Sequence, residues 1–395
     1  MNDITVMLKL ISAAVYTKKY PEISEDINWG FIYGVASAHG VANIIAYAIN
    51  EGNYDVPKEI KTQFTKSLLK AIAVCENQIF ELNKLFNEFE RSNVKYMPLK
   101  GTVIRSLYPE KDMRSMADAD ILVSLADFEK FNNIMLGLGY TFDGESNHEY
   151  NYTKKPFVHI ELHKYLVPSY NDDLYSYYGD GWRLAKQTNP DRCRFELSVE
   201  GHFIYIITHF AKHYRDAGVG MKSVIDIWLY MKKYTEMDME YVKSQLKKLN
   251  LLDFAENVFH MTEVWFEDGK SNSLINQMSE FIIRSSAFGT REAQLLSNTI
   301  REHREDVGNV SKHRYKNALF PNLKHMKKAY PMLEKMPVLL PFFWIIRIVQ
   351  RTLFGSKSIS EHKQMVDVLQ YENIENFKKH MEDVGLDIYN GRNKQ

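Results

Sequence analysis

The chain reads as an α+β protein in which a small mixed sheet is embedded in a largely helical chain. Apolar residues recur at helical spacing before residue 90 and again from Glu200 onward. Between Tyr96 and His163, short runs instead alternate apolar and polar residues, as half-buried strands do. At 395 residues and 45% hydrophobic content, the chain can bury a sizeable core in two or three structural units. The predicted regions are an N-terminal helical one over 1–90, a sheet-containing core over 91–168 and a C-terminal helical one over 169–395.

Taken in order, the first strong element is a long helix from Ile60 to Phe89, where Phe64, Leu68, Leu82, Leu85 and Phe89 return to one face. Tyr96 to Leu99 reads as a short buried strand. Gly101 permits a tight turn, and Thr102 to Leu107 has the look of a helix start with Thr102 near its cap. In Asp118-Ala119-Asp120-Ile121 the alternation predicts a strand with both carboxylates on one face. Asp127 to Leu138 is expected as a crossover helix ended by Gly139, with Tyr140 to Phe142 a short strand after it. His159-Ile160-Glu161-Leu162-His163 then places His159, Glu161 and His163 on one side of a further strand. Helical patterning resumes at Glu200. The apolar stretch Pro337 to Ile346 is too short to span a bilayer and is followed at once by Arg347 and Arg351. It is expected as part of a helix packed on the core, with a membrane-surface helix the alternative.

Three converging carboxylates repel one another unless a cation lies between them, so Asp118, Asp120 and Glu161 are the candidate metal ligands. Magnesium suits such a site because it is a hard ion that takes oxygen ligands and keeps waters and substrate phosphates in its shell; manganese is the alternative. Two such ions about 3.5–4 Å apart can serve displacement at phosphorus, with one carboxylate as the base for the attacking hydroxyl. A helix N-terminus at Gly101 and Thr102 offers backbone N–H groups and partial positive charge to a triphosphate. Lys100 and Arg114 add charge beside the same phosphates. The structural alternatives are a solvated Lys100 and an Arg114 paired with Asp112 or Asp118.

These segments, Leu99-Lys100-Gly101, Arg114 to Asp120 and Glu161-Leu162-His163, resemble an uncharacterised bacterial nucleotidyltransferase family of the polymerase-beta-type superfamily. The likeness runs on through Trp29, Ala38-His39-Gly40-Val41, His209, His213 and Asp226, over most of residues 25 to 350. The superfamily usually has Gly-Ser where this chain has Gly101-Thr102, which keeps a hydroxyl, and the interval from that turn to Asp118 is slightly longer. The resemblance implies a metal-dependent enzyme that moves a nucleoside monophosphate from a nucleoside triphosphate to a hydroxyl or phosphate acceptor. Asp118, Asp120 and Glu161 would hold magnesium or manganese and carry the catalysis. Lys100, Gly101, Thr102 and Arg114 would bind the nucleotide, with His163, His209 and His213 beside it.

Fifty basic residues balance fifty acidic ones, with no basic run, which argues against an extended nucleic-acid surface. A small-molecule or glycan-precursor acceptor is therefore expected ahead of a tRNA. The rivals are a toxin or protein and tRNA modifier, and a catalytically silent nucleotide-binding scaffold. Only Cys75 and Cys193 are present, and Met1 to Val6 carries no secretory signal pattern, so a reducing cytoplasm is the expected compartment. No transmembrane segment is expected. His209 and His213, four apart, could join His159, Glu161 and His163 in a zinc site, although no zinc-protease signature is present. Lys222 and Asp226 have the spacing of a helical ion pair. Tyr165, Tyr170, Tyr175, Tyr177 and Tyr178 are expected mainly in packing, with base stacking the alternative.

Overall fold

The computed structural model describes residues 2–23, 27–146, 148–169, 171–287, 289–302, 323, 326–327, 330–334, 336–346, 368 and 371–389. The chain opens with α1 (Asp3–Ser12), α2 (Trp29–Ala38), α3 (Ala42–Glu51) and the long α4 (Lys58–Arg91). The central segment runs β1 (Tyr96–Pro98), α5 (Gly101–Ile104), β2 (Ala119–Val123), α6 (Phe128–Gly137), β3 (Thr141–Glu145), β4 (Glu149–Lys154) and β5 (Val158–His163). After α7 (Asp172–Tyr178) comes a hairpin of β6 (Ala185–Gln187) and β7 (Phe195–Leu197). The helical region that follows comprises α8 (Val199–Asp216), α9 (Lys222–Lys233), α10 (Met239–Lys248) and α11 (Leu252–Phe266). Among the described residues it continues with α12 (Ser273–Arg284), α13 (Arg291–Glu302) and α14 (Tyr371–Asp383).

The architecture is the α+β class read from the sequence. The five strands of its main sheet lie in the order β1-β2-β5-β4-β3, with β2 and β5 parallel and the other neighbours antiparallel. Alternation gives the sheet two apolar destinations. Ala119, Ile121 and Val123 of β2 pack with Phe131 and Met135 of α6 and Leu82, Leu85 and Phe89 of α4. Leu122, on the other face, joins a larger core that includes Ile44 and Ile45 of α3, Phe203 and Phe210 of α8 and Trp228 of α9. Helix α4 serves both cores, because Phe64 and Leu68 in its first half belong to the larger one. Its 34 residues make it about 50 Å long, enough to reach from one to the other.

Several local expectations change. The helix expected over Thr102 to Leu107 is a single α turn, Gly101–Ile104, followed by a 3-10 turn over Arg105–Leu107. Pro109 disfavours helical geometry at Tyr108, which is extended at φ −79° and ψ 147°. Strand β4 and the β6–β7 hairpin were not foreseen. The Pro337 to Ile346 stretch is a 3-10 turn over Pro337–Leu339 and a helical run over 340–346. Phe343 packs in a small separate cluster with Met326 and Leu333, whereas Val338, Phe342 and Ile345 are exposed. Arg347, Arg351 and the apolar residues between them lie outside the described residues, as does Tyr170. Among the described residues no helix is long and apolar enough to cross a membrane.

Candidate active site

Parallel pairing of β2 with β5 sets Asp120 in register with Glu161. Both therefore project from the same face of the sheet, the face on which Leu122 meets the larger helical core. Asp118 lies one residue ahead of β2 and is half-buried. All three carboxylates line a cleft of about 430 Å³ between the sheet and α8–α9, which Lys100, Arg114, His163, His209 and His213 also line. Ligand atoms of Asp120, Glu161 and His163 lie within 4.8 Å of one another; Asp118 is not part of that close group.

The electrostatics of the two aspartates differ. Burial alone would raise the Asp120 carboxyl, yet its Oδ1 accepts from Lys100 Nζ at 2.7 Å and from His163 Nε2 at 2.7 Å. Together they hold it well below the usual carboxylate range. Burial opposes the charge on Lys100 too, but Asp120 holds that ammonium well above its ordinary value. Asp118 goes the other way: burial, then the charges of Asp120 and Glu161, push it up to about 6. The three carboxylates thus repel one another locally, and a hard divalent cation with oxygen ligands would relieve that repulsion.

Lys100 reaches Asp120 through an unusual backbone. Its φ of 44° and ψ of −121° belong to a region that L-residues rarely occupy, and the neighbouring bonds from Val103 and Ile104 N–H to Lys100 O lock the turn. At Gly101 the requirement is space, since a Cβ there would come within 2.7 Å of Met116 Sδ. Thr102 does not cap α5, and its Oγ1 is buried without a hydrogen-bond partner among the described residues.

Arg114 lines the cleft, but neither sequence alternative for its pairing applies. Its Nε donates to Asp226 Oδ1 at 2.8 Å and its Nη2 lies 2.8 Å from Oδ2, while Tyr108 Oη donates to the same carboxylate at 2.7 Å. The helical spacing of Lys222 and Asp226 therefore misled: the carboxylate is taken by Arg114, and Lys222 Nζ donates to Ser115 O at 3.3 Å. Burial first, and then Arg114, lower Lys222 to about 8. Ser115 Oγ in turn donates to Gly40 O at 2.9 Å. The loop before Asp118 is thus held from both helical regions. His39 belongs to the same support, its Nδ1 accepting from Met221 N at 3.3 Å and its Nε2 meeting Ile283 O at 3.1 Å.

The histidines sort differently from the zinc alternative. His209 and His213 bond to each other, Nε2 to Nε2 at 2.9 Å, and join no metal-ligating group with Glu161 among the described residues. Burial lowers both, His213 to about 3, so the pair is neutral. His159 is exposed. Of the tyrosines, Tyr178 is buried and bonded to Thr208 at 2.8 Å, and Tyr165 and Tyr175 stack edge to face. Sequence reasoning missed His148, Glu149 and Lys212, which line the cleft. The alternation of Glu149-Tyr150-Asn151-Tyr152 was the available signal for a strand that would carry His148 and Glu149 there, whereas Lys212 lies on α8.

No curated protein and no solved structure matches the chain. A family model described as an uncharacterised nucleotidyltransferase matches residues 25–267, a span that takes in the whole sheet, the carboxylates and helices α8 and α9. The chain belongs to this uncharacterised nucleotidyltransferase family.

Proposed function

We propose that the protein transfers a nucleoside monophosphate from a nucleoside triphosphate to a hydroxyl or phosphate group of a small-molecule or glycan-precursor acceptor, as a polymerase-beta-type enzyme does. The observation that carries this reading is the placement of Asp120 beside Glu161 on parallel strands, with Asp118 pushed up to about 6 in the same cleft. Asp118, Asp120 and Glu161 would hold magnesium or manganese, which when bound neutralises phosphate charge and supports in-line displacement. Glu161, whose side chain is 26% exposed, is open enough to receive a proton from an acceptor hydroxyl. Gly101, which lines the cleft, would help position the triphosphate, whereas Thr102 does not line it and its Oγ1 is buried. Lys100, once released from Asp120, would neutralise phosphate oxygens instead. The neutral His209–His213 pair and Lys212 form the opposite wall of the cleft, where a base or sugar would bind.

Calorimetric titration with each common nucleoside triphosphate, with and without magnesium, tests this. Metal-dependent binding that is lost in the Asp118→Asn, Asp120→Asn double variant, followed by pyrophosphate release with a suitable acceptor, is the expected result. Binding that is indifferent to metal and to the double variant would leave a silent nucleotide-binding scaffold as the better description.

A further inference from the structure

We propose that His148, Glu149 and His163 form a second metal site, selective for a borderline transition-metal ion such as Zn2+ and sharing His163 with the carboxylate group. The β4–β5 register sets Glu149 opposite His163, and His148 precedes Glu149 directly. One ligand atom from each of the three lies within 4.8 Å of the others, with His148 Nε2 and Glu149 Oε2 at 2.9 Å.

The state of His163 points to a ligand. Its side chain is only 4% exposed, and its Nε2 is 2.7 Å from the Asp120 carboxylate, which can only accept. Nε2 is therefore the protonated nitrogen. In the neutral ring, Nδ1 then carries the lone pair, and Nδ1 is buried with no hydrogen-bond partner among the described residues. A carboxylate that orients a histidine from behind while its other nitrogen meets an ion is the arrangement that fixes tautomer and raises ligand basicity in metal sites. Buried imidazole nitrogen without a partner is otherwise costly.

The donor set selects the ion. Two imidazoles and one carboxylate suit zinc, and leave a fourth position for water or substrate, whereas magnesium prefers oxygen throughout. The two groups would thus be filled by different ions, and one bound at His163 would fix the ring that bonds Asp120. The His209–His213 pair is a poorer candidate because the two Nε2 atoms already satisfy each other.

Zinc alone, added to the full chain in excess magnesium and followed by equilibrium dialysis with metal analysis, tests the site. One bound equivalent is expected in the wild type. His148→Ala and Glu149→Gln should each weaken zinc by about 100-fold, and Asp120→Asn, which removes the carboxylate behind His163, by about 10–100-fold. Asp118→Asn and His213→Ala should retain zinc, and circular dichroism establishes that each variant is folded. X-ray absorption at the zinc edge of the wild type should show two imidazoles, a readout that survives if a variant fails to fold. No zinc in the wild type, zinc undiminished in His148→Ala, or loss in His213→Ala instead would overturn the proposal. Magnesium-dependent nucleotide binding is measured separately, so failure here and failure of the nucleotidyl-transfer reading are distinguishable.

Discussion

Asp118→Asn should make the metal-free protein more stable while abolishing its activity. The carboxyl titrates from 3.8 to about 6 on folding, because burial and the charges of Asp120 and Glu161 disfavour its ionised form. The folded state therefore holds its proton to higher pH than the unfolded chain does. Stability is lost as pH rises through that window, and the full penalty is present above it. The rise from 3.8 to about 6 corresponds to about 3 kcal/mol, and screening in a solvent-accessible cleft reduces this to about 1–2 kcal/mol. Asparagine cannot ionise, so the variant lacks the penalty. Urea unfolding with chelator present, at about pH 5 and about pH 7.5, measures it. The wild type should lose about 0.5–1 kcal/mol relative to the variant between those conditions, the rest of the penalty being already present at about pH 5. Magnesium with a nucleoside triphosphate should reverse the ranking, since only the wild type gains binding energy. Parallel pH profiles for the two proteins would refute the reasoning.

Other perturbations separate the remaining parts of the site. Asp120→Asn leaves Lys100 buried without its counter-charge and should cost about 3–5 kcal/mol in denaturation, besides eliminating turnover; a variant as stable as the wild type would show that Lys100 finds another partner. Lys100→Gly should be more stable than Lys100→Ala by about 1–3 kcal/mol, because glycine adopts the turn's backbone without strain; equal melting temperatures would mean the turn relaxes. Asp226→Asn strands Arg114 and should destabilise by a similar about 3–5 kcal/mol, and its loss of nucleotide affinity would report how far Arg114 depends on that anchor. His213 is held neutral to about pH 3 in the folded state while the unfolded side chain protonates near 6.5. The unfolded state thus binds more protons in that window, so stability falls as pH drops through it. His213→Gln should flatten this acid limb, and an unchanged limb would assign it to other groups.

Much of the fold was legible because it rests on local periodicity. Phe64 to Phe89 marked the long helix, and the alternation around Asp120 and around Glu161 marked two strands and the face each carboxylate takes. Strand β4 went unread because its alternation is carried by Tyr150 and Tyr152 among polar residues, and with it went His148 and Glu149. The ion partners were illegible for a different reason. Asp226 sits 112 residues from Arg114, and helical spacing favoured Lys222, which lies on the same helix but points to Ser115.

The sequence by itself determined which side chains share a face, because the geometry of strand and helix repeats over a few residues. Tertiary structure decided which faces meet. Only the pairing of β2 with β5 brings Asp120 beside Glu161, and only β4 crossing on the far side of β5 brings Glu149 opposite His163. Strand pairing depends on contacts far apart in the chain and on the burial of a whole sheet face, which no local pattern encodes.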